Sequence, residues 1–147
     1  MPKKLELRFK KQQFQVEAAA AVVNVFDGQP FKESTFMLDK GDKNQFTAFV
    51  FTGFGNYRLR LTSDELRQNI AKVQRQNLIK PLEVMPSLCQ LTVEMETGTG
   101  KTYTYIKTMY ELNRRYGWSK FIIVVPNIAI REGVAKSFAV MQNHFRE

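Results

Sequence analysis

The sequence predicts an α/β fold, a parallel sheet flanked by helices, and three observations predict it. A glycine-rich turn, Thr97-Gly98-Thr99-Gly100-Lys101-Thr102, lies between an apolar run at 89–95 and a helix-like stretch at 102–116. A second apolar run, Phe121-Ile122-Ile123-Val124-Val125, is unbroken, as expected of a strand covered on both faces. From Leu91 to Val125 is 35 residues. That leaves room for the ~30 of a strand–helix–strand unit, whose crossover should be right-handed.

Taken in order, the chain divides into blocks 1–30, 31–88 and 89–147. In the first, Phe14, Ala18, Val22 and Val25 recur at helical spacing over 12–26, and Asp27-Gly28-Gln29-Pro30 supplies the stop. The second block reads as an insertion made of a β-hairpin plus a helix. The hairpin pairs 45–52 with 57–61 around Gly53-Phe54-Gly55-Asn56, with Leu59 and Leu61 facing away from Arg58 and Arg60. Thr62 and Glu65 then make a capping box, Leu66, Ile70 and Val73 share one side of the helix, and Pro81 ends the segment.

In the third block, Ile106, Met109, Tyr110 and Leu112 give the 102–116 helix its apolar side, and Arg114-Arg115 before Gly117 suit its C-terminus. Beyond Pro126 a further helix carries Val134, Phe138, Met141 and Phe145 as its stripe. Only two strands of the parallel sheet are assignable, so the sheet is expected to be incomplete. Either the chain is a piece of a longer one, or the middle block or another copy supplies the missing edge.

Composition narrows the class. A 44% hydrophobic share suits a globular core, and a charge of +8 with a pI near 9.7 favours an anionic partner. The single cysteine, Cys89, excludes an internal disulfide framework and fits the cytoplasm, with packing inside a buried strand as its expected role. No run approaches the ~18 apolar residues of a membrane span, and Met1 to Leu7 lacks the apolar core of a signal peptide. His144 has no metal-ligand partner at suitable spacing and is expected at the surface. Tyr103, Tyr105 and Tyr110 are expected to pack with their hydroxyls exposed.

The glycine-rich turn carries the chemistry. Gly98 and Gly100 let the backbone curl so that successive N–H groups face phosphate oxygens, which a side chain would obstruct. Lys101 adds a point charge for β and γ phosphates, and the Thr102 hydroxyl is placed for Mg²⁺ at a helix start whose dipole favours the same anion. The general phosphate-loop pattern has a glycine where this chain has Met95.

Together these stretches resemble a superfamily 2 DEAD/DEAH-type helicase motor, and more narrowly the Res (restriction) subunit of type III restriction-modification enzymes. Residues 94–103 are similar to motif I of that subunit, residues 120–134 to its motif Ia, and Phe14-Gln15-Val16-Glu17-Ala18 to the Tyr-Gln-x-x-Ala element of such motors. The resemblance implies a RecA-like P-loop NTPase fold and ATP with Mg²⁺ as cofactors. Thr97, Gly98, Thr99, Gly100, Lys101 and Thr102 would hold the nucleotide, with Mg²⁺ reached by Thr102. Gln15 would read adenine, and its amide has the donors and acceptor to do so; alternatively Gln12, Gln13 and Gln15 coat an exposed helix start. Asn127 and Arg131 would contact nucleic-acid phosphate. Double-stranded DNA and a modification (methyltransferase) subunit are the implied partners, and ATP-driven movement on DNA leading to double-strand cleavage is the implied activity of the intact enzyme.

Hydrolysis in such motors needs an acidic pair after a strand. The only Asp-Glu pair, Asp64-Glu65, precedes the loop and reads as helix capping, so the chain is expected to bind nucleotide without efficient turnover. A reading of another class is a single-strand nucleic-acid module, carried by Phe46, Phe49, Phe51, Phe54 and Tyr57 beside Arg58 and Arg60. A decayed motor remnant is a third.

Overall fold

A computed structural model describes residues 10–32, 55–81, 89–142 and 144–145. The described residues form four helices: α1 (Gln13–Asn24), α2 (Ser63–Gln76), α3 (Lys101–Tyr116) and α4 (Ile128–Met141). No strand occurs among them, which overturns the expected parallel sheet. A strand exists through its ladder, and among the described residues no backbone hydrogen bond joins 89–95 to 121–125. Phe121, Ile122, Ile123 and Val124 are 38, 93, 39 and 90% exposed. The alternation shows one side of this run leaning on the protein and the other facing out, where the apolar pattern implied cover on both.

Cys89 is likewise exposed rather than buried in a strand, and desolvation of its sulfur pushes the thiol above its ordinary value. The hairpin expectation fails in its second arm, since 57–61 carries no strand. Its first arm, 45–52, lies outside the described residues. Side-chain amides hold the second arm instead. Asn56 accepts from the Ser119 and Lys120 N–H groups and donates to the Lys120 carbonyl, and Trp118 Nε1 donates to the Tyr57 carbonyl at 3.1 Å.

The main packing joins α1 to α3. The buried residues of α1 are Gln15, Ala19 and Val23, spaced one turn apart. The expected stripe is therefore displaced by one position along the helix: Phe14 is exposed and Ala18 and Val22 are only half-buried, although Val25, just past the helix end, is buried as expected. At one end Gln15 meets Thr99, just before α3; at the other the Tyr116 hydroxyl donates to the Val23 carbonyl at 2.9 Å. The two helices thus run side by side in the same direction. Arg115 reinforces the far end, donating to Asn24 Oδ1 and pairing with Asp27 at 2.7 Å. The stop after α1 is as expected, with Gly28 at φ +91° and the Gln29 N–H returning to the Phe26 carbonyl.

Helix α2 begins on the expected capping box, in which the Thr62 hydroxyl accepts from Glu65 N–H while the Glu65 carboxylate accepts from Thr62 N–H at 2.8 Å. These bonds hold the Glu65 carboxyl below its ordinary 4.5. Its contribution is thus present above that value and is lost as pH falls through the lower folded one. Helicity of α2 is expected to weaken on acidification in the parent but not in Glu65→Gln, as followed by circular dichroism.

The other end of α2 is unusual. The Ile79 N–H returns to the Gln74 carbonyl and the Leu78 N–H to the Arg75 carbonyl, a Schellman closure whose left-handed position is normally glycine. Leu78 occupies it at φ +58° with its side chain 96% exposed. A left-handed non-glycine residue costs about 1–2 kcal/mol. Leu78→Gly forfeits no packing, and is expected to raise stability in urea by about 0.5–1 kcal/mol after glycine's own entropy cost. A loss of stability would refute this assignment.

Helix α4 packs its C-terminal end on the first half of α3, where Met141, Phe138 and Phe145 meet Tyr103, Ile106 and Tyr110. The Tyr110 and Phe145 rings stack at 4.9 Å. His144 is part of this cluster rather than a free surface residue: its Nε2 lies 3.1 Å from the Tyr103 hydroxyl. The tyrosine hydroxyls also depart from expectation. That of Tyr103 is engaged with His144, and that of Tyr105 is buried.

Candidate functional site

The site is built at the shared N-terminal end of α1 and α3. Before α3 the chain turns at 97–99, where the Thr99 hydroxyl donates to the Glu96 carbonyl at 2.6 Å. Gly98 and Gly100 then take φ +84° and +88°, positive values that make the tight turn read from the sequence. The first bond of α3 runs from Thr104 N–H to the Gly100 carbonyl at 3.0 Å. The Lys101 and Thr102 N–H groups precede it and are the unpaired donors of a helix start.

Gln15 brings α1 to this loop. The residue is 8% exposed, and its Nε2 donates to the Thr99 carbonyl at 2.8 Å. The amide nitrogen also presses against Gly100, where an added Cβ would collide with it, whereas a Cβ on Gly98 would meet open space. Residues 84 positions apart thus share one site. The sequence singled out both, yet no signal in it showed that the amide would grip the loop backbone.

Lys101 is exposed and Thr102 half-buried in the first turn of α3. That turn holds no acidic residue, so nothing within it offsets the positive helix end, whereas Arg114 and Arg115 complement the negative end. Glu94 and Glu96 are exposed beside the loop. Glu111, half a helix away, is raised by burial but held below its ordinary value by Lys107 and Arg114.

Asn127 and Arg131 sit at the start of α4. The Asn127 side chain caps this helix, accepting from Ile130 N–H at 2.9 Å, and the exposed Arg131 pairs with its neighbour Glu132. The C-terminal end of α4 is the one beside the start of α3. Fourteen residues separate it from Asn127, roughly 20 Å of helix. No hydrogen bond or ion pair joins Asn127 or Arg131 to the loop among the described residues. These also contain no group of histidine, cysteine or acidic side chains able to hold a metal, and no helix long and apolar enough to cross a membrane.

Comparison with known proteins gives a consistent family. The family model described as type III restriction enzyme, res subunit, matches residues 57–146. The chain is 44% identical over 97 residues to the EcoPI Res subunit of Escherichia phage P1, and 42% identical over 97 residues to the EcoP15I Res subunit of Escherichia coli. Each match covers 63% of this chain and 10% of the relative. Over 48 residues, 33% of this chain and 5% of the relative, it is 58% identical to the StyLTI Res subunit of Salmonella typhimurium. The chain thus spans about a tenth of the length of the first two relatives.

Proposed function

Because the chain belongs to the type III restriction enzyme res subunit family, we propose that it is the ATP-binding segment of a DNA-dependent ATPase and translocase. The observation that carries this reading is the loop at 97–102, whose two left-handed glycines stand at the uncompensated start of α3. The residues present fit a nucleoside triphosphate. A side chain at Gly100 would have to displace the Gln15 amide, whereas the exposed Lys101 and the first-turn N–H groups are free of acidic neighbours within the turn. Bound ATP·Mg²⁺ would supply the phosphoryl group that hydrolysis transfers in the whole protein.

In this reading the N–H groups of 97–102 bind phosphate oxygens, Lys101 neutralises the β and γ phosphates, and the Thr102 hydroxyl orients Mg²⁺. Gln15 shapes the loop through Thr99, keeping its Oε1 and second amide hydrogen for the adenine edge. Asn127 and Arg131 form a second, phosphate-directed patch at the start of α4. Double-stranded DNA and a modification (methyltransferase) subunit are the partners proposed for the whole restriction enzyme, with hydrolysis and cleavage completed by residues beyond those seen here.

Calorimetric titration of Mg²⁺·ATP and Mg²⁺·ADP into the chain and into Lys101→Ala tests the reading. Losing the charge-assisted contacts of Lys101, about 1.5–3 kcal/mol, is expected to weaken binding roughly 10- to 100-fold. Equal affinity in the folded variant would overturn it. Gln15→Ala separates the two roles of the amide: an equal loss for ATP and GTP reports loop shaping, and any further loss for ATP measures the adenine share.

A further inference from the structure

Away from the loop, a basic ledge joins the end of α1, the 55–60 segment and the residues after α3. The Lys32 ammonium lies 4.9 Å from the centre of the Tyr57 ring, and the Arg60 guanidinium lies 5.4 Å from the same centre. Arg60 Nε also donates to the Tyr57 hydroxyl at 3.0 Å. Lys32, Arg58 and Arg60 are all exposed. The Lys32 and Arg60 charges therefore stand within about 10 Å of each other, a Debye length at 0.1 M salt, so their fields add.

The backbone beneath these charges is held firmly. Gln29, 5% exposed, donates through Nε2 to the Arg58 carbonyl at 3.0 Å and accepts through Oε1 from the Arg60 N–H at 2.8 Å. The Lys32 N–H bonds the Tyr116 carbonyl, and Trp118 holds the Tyr57 carbonyl. Neutral amides and an indole do this work, with no carboxylate among them. Among the described residues none of the three cations has an acidic partner: Asp27 is paired with Arg115, and the Glu65 carboxylate is taken by Thr62. Asp64 lies in the first turn of α2, and no ion pair joins it to the ledge among the described residues.

We propose that Lys32, Arg58 and Arg60, organised around Tyr57, form a sequence-independent binding site for the phosphate backbone of duplex DNA. Three preset cations with no acidic partner among the described residues fit a polyanion, and the chain's charge of +8 has the sign to draw it in. The Tyr57 ring is occupied by its two cations, so the site grips phosphate rather than stacking bases. The site extends the DNA-directed reading above and rests on it, but it does not depend on the nucleotide loop.

The test is fluorescence anisotropy of a labelled duplex with the full chain over about 50–200 mM salt. The Lys32→Gln/Arg58→Gln/Arg60→Gln variant is compared with a matched variant on α2, Arg67→Gln/Lys72→Gln/Arg75→Gln, thermal melts confirming that both fold. The ledge variant should bind more weakly, with the slope of log affinity against log salt reduced by about 3, one per lost phosphate contact. The α2 variant should retain most of the parent slope, and scrambling the duplex sequence should change nothing. Equal slope losses in the two triple variants would overturn the ledge while leaving the DNA-directed reading intact. A parent chain that binds no duplex, or that polyglutamate binds equally well, would overturn both.

Discussion

Gly100→Ala is expected to weaken Mg²⁺·ATP binding more than 100-fold, with a loss of stability of about 3 kcal/mol. Two costs combine. The backbone stands at φ +88°, where a Cβ costs about 1–2 kcal/mol. The new methyl would also collide with the Gln15 amide nitrogen, displacing it from the Thr99 carbonyl and leaving buried polar groups unpaired at about 1–3 kcal/mol. Gly98→Ala, with open space around its Cβ, should bear only the conformational cost. Calorimetry and urea unfolding of Gly100→Ala, Gln15→Ala and the double variant separate the costs: the double variant should lose less than the sum of the singles. Strict additivity would show that Gln15 and Gly100 do not share one site.

Tyr116→Ala is expected to produce the largest loss of stability, about 3–5 kcal/mol, the usual cost of emptying a large aromatic site. Tyr116 is almost completely buried between Val23 and Leu112, with the Phe26 and Trp118 rings at its edges, and it closes the far end of the α1–α3 pair through its bond to Val23. Tyr116→Phe keeps the packing and removes only the hydroxyl's bond, while the Val23 carbonyl still accepts from the Phe26 N–H, so about 0.5–1.5 kcal/mol should be lost. A phenylalanine variant as unstable as the alanine one would place the energy in the hydroxyl rather than the ring. Burial pushes the Tyr116 hydroxyl above its ordinary 10, with Arg115 opposing and Asp27 adding to the rise. The folded state holds this proton more tightly than the unfolded chain, so stability is intact below pH 10 and falls above it. Urea midpoints should drop at high pH in the parent and drop less in Tyr116→Phe.

The parts legible beforehand have causes within a few residues. The Thr62–Glu65 box, the turn at Gly28, the left-handed glycines at 98 and 100, and Gly117 closing α3 at φ +75° after Arg114 and Arg115 all follow from short-range sterics and neighbouring hydrogen bonds. The stripe of α4 was also legible, since Phe138 and Met141 follow a single helical period. Leu78 shows the limit of such rules: a Schellman closure formed although its left-handed residue is not glycine, because its hydrogen bonds outweigh the strain. The motif placed Lys101 and Thr102 in the first turn of a helix as expected, but it was silent on the amide that braces the loop from α1.

By itself, then, the sequence determined the capping box that starts α2, the stop after α1, the tight turn at Gly98 and Gly100 and the family the loop resembles, because each depends on residues adjacent along the chain, whereas α2 stops at Gln76, short of the Pro81 expected to end it. Tertiary structure alone decided whether the apolar runs at 89–95 and 121–125 become strands, which side of α1 is buried, and where the Gln15 and His144 side chains go. An apolar run becomes a strand only when another backbone completes its hydrogen bonds, and none does so among the described residues. The buried side of α1 is set by α3, more than 80 residues away, through one amide, one small alanine and one tyrosine hydroxyl. No local period encodes those partners, since their energies arise only once the two helices lie side by side.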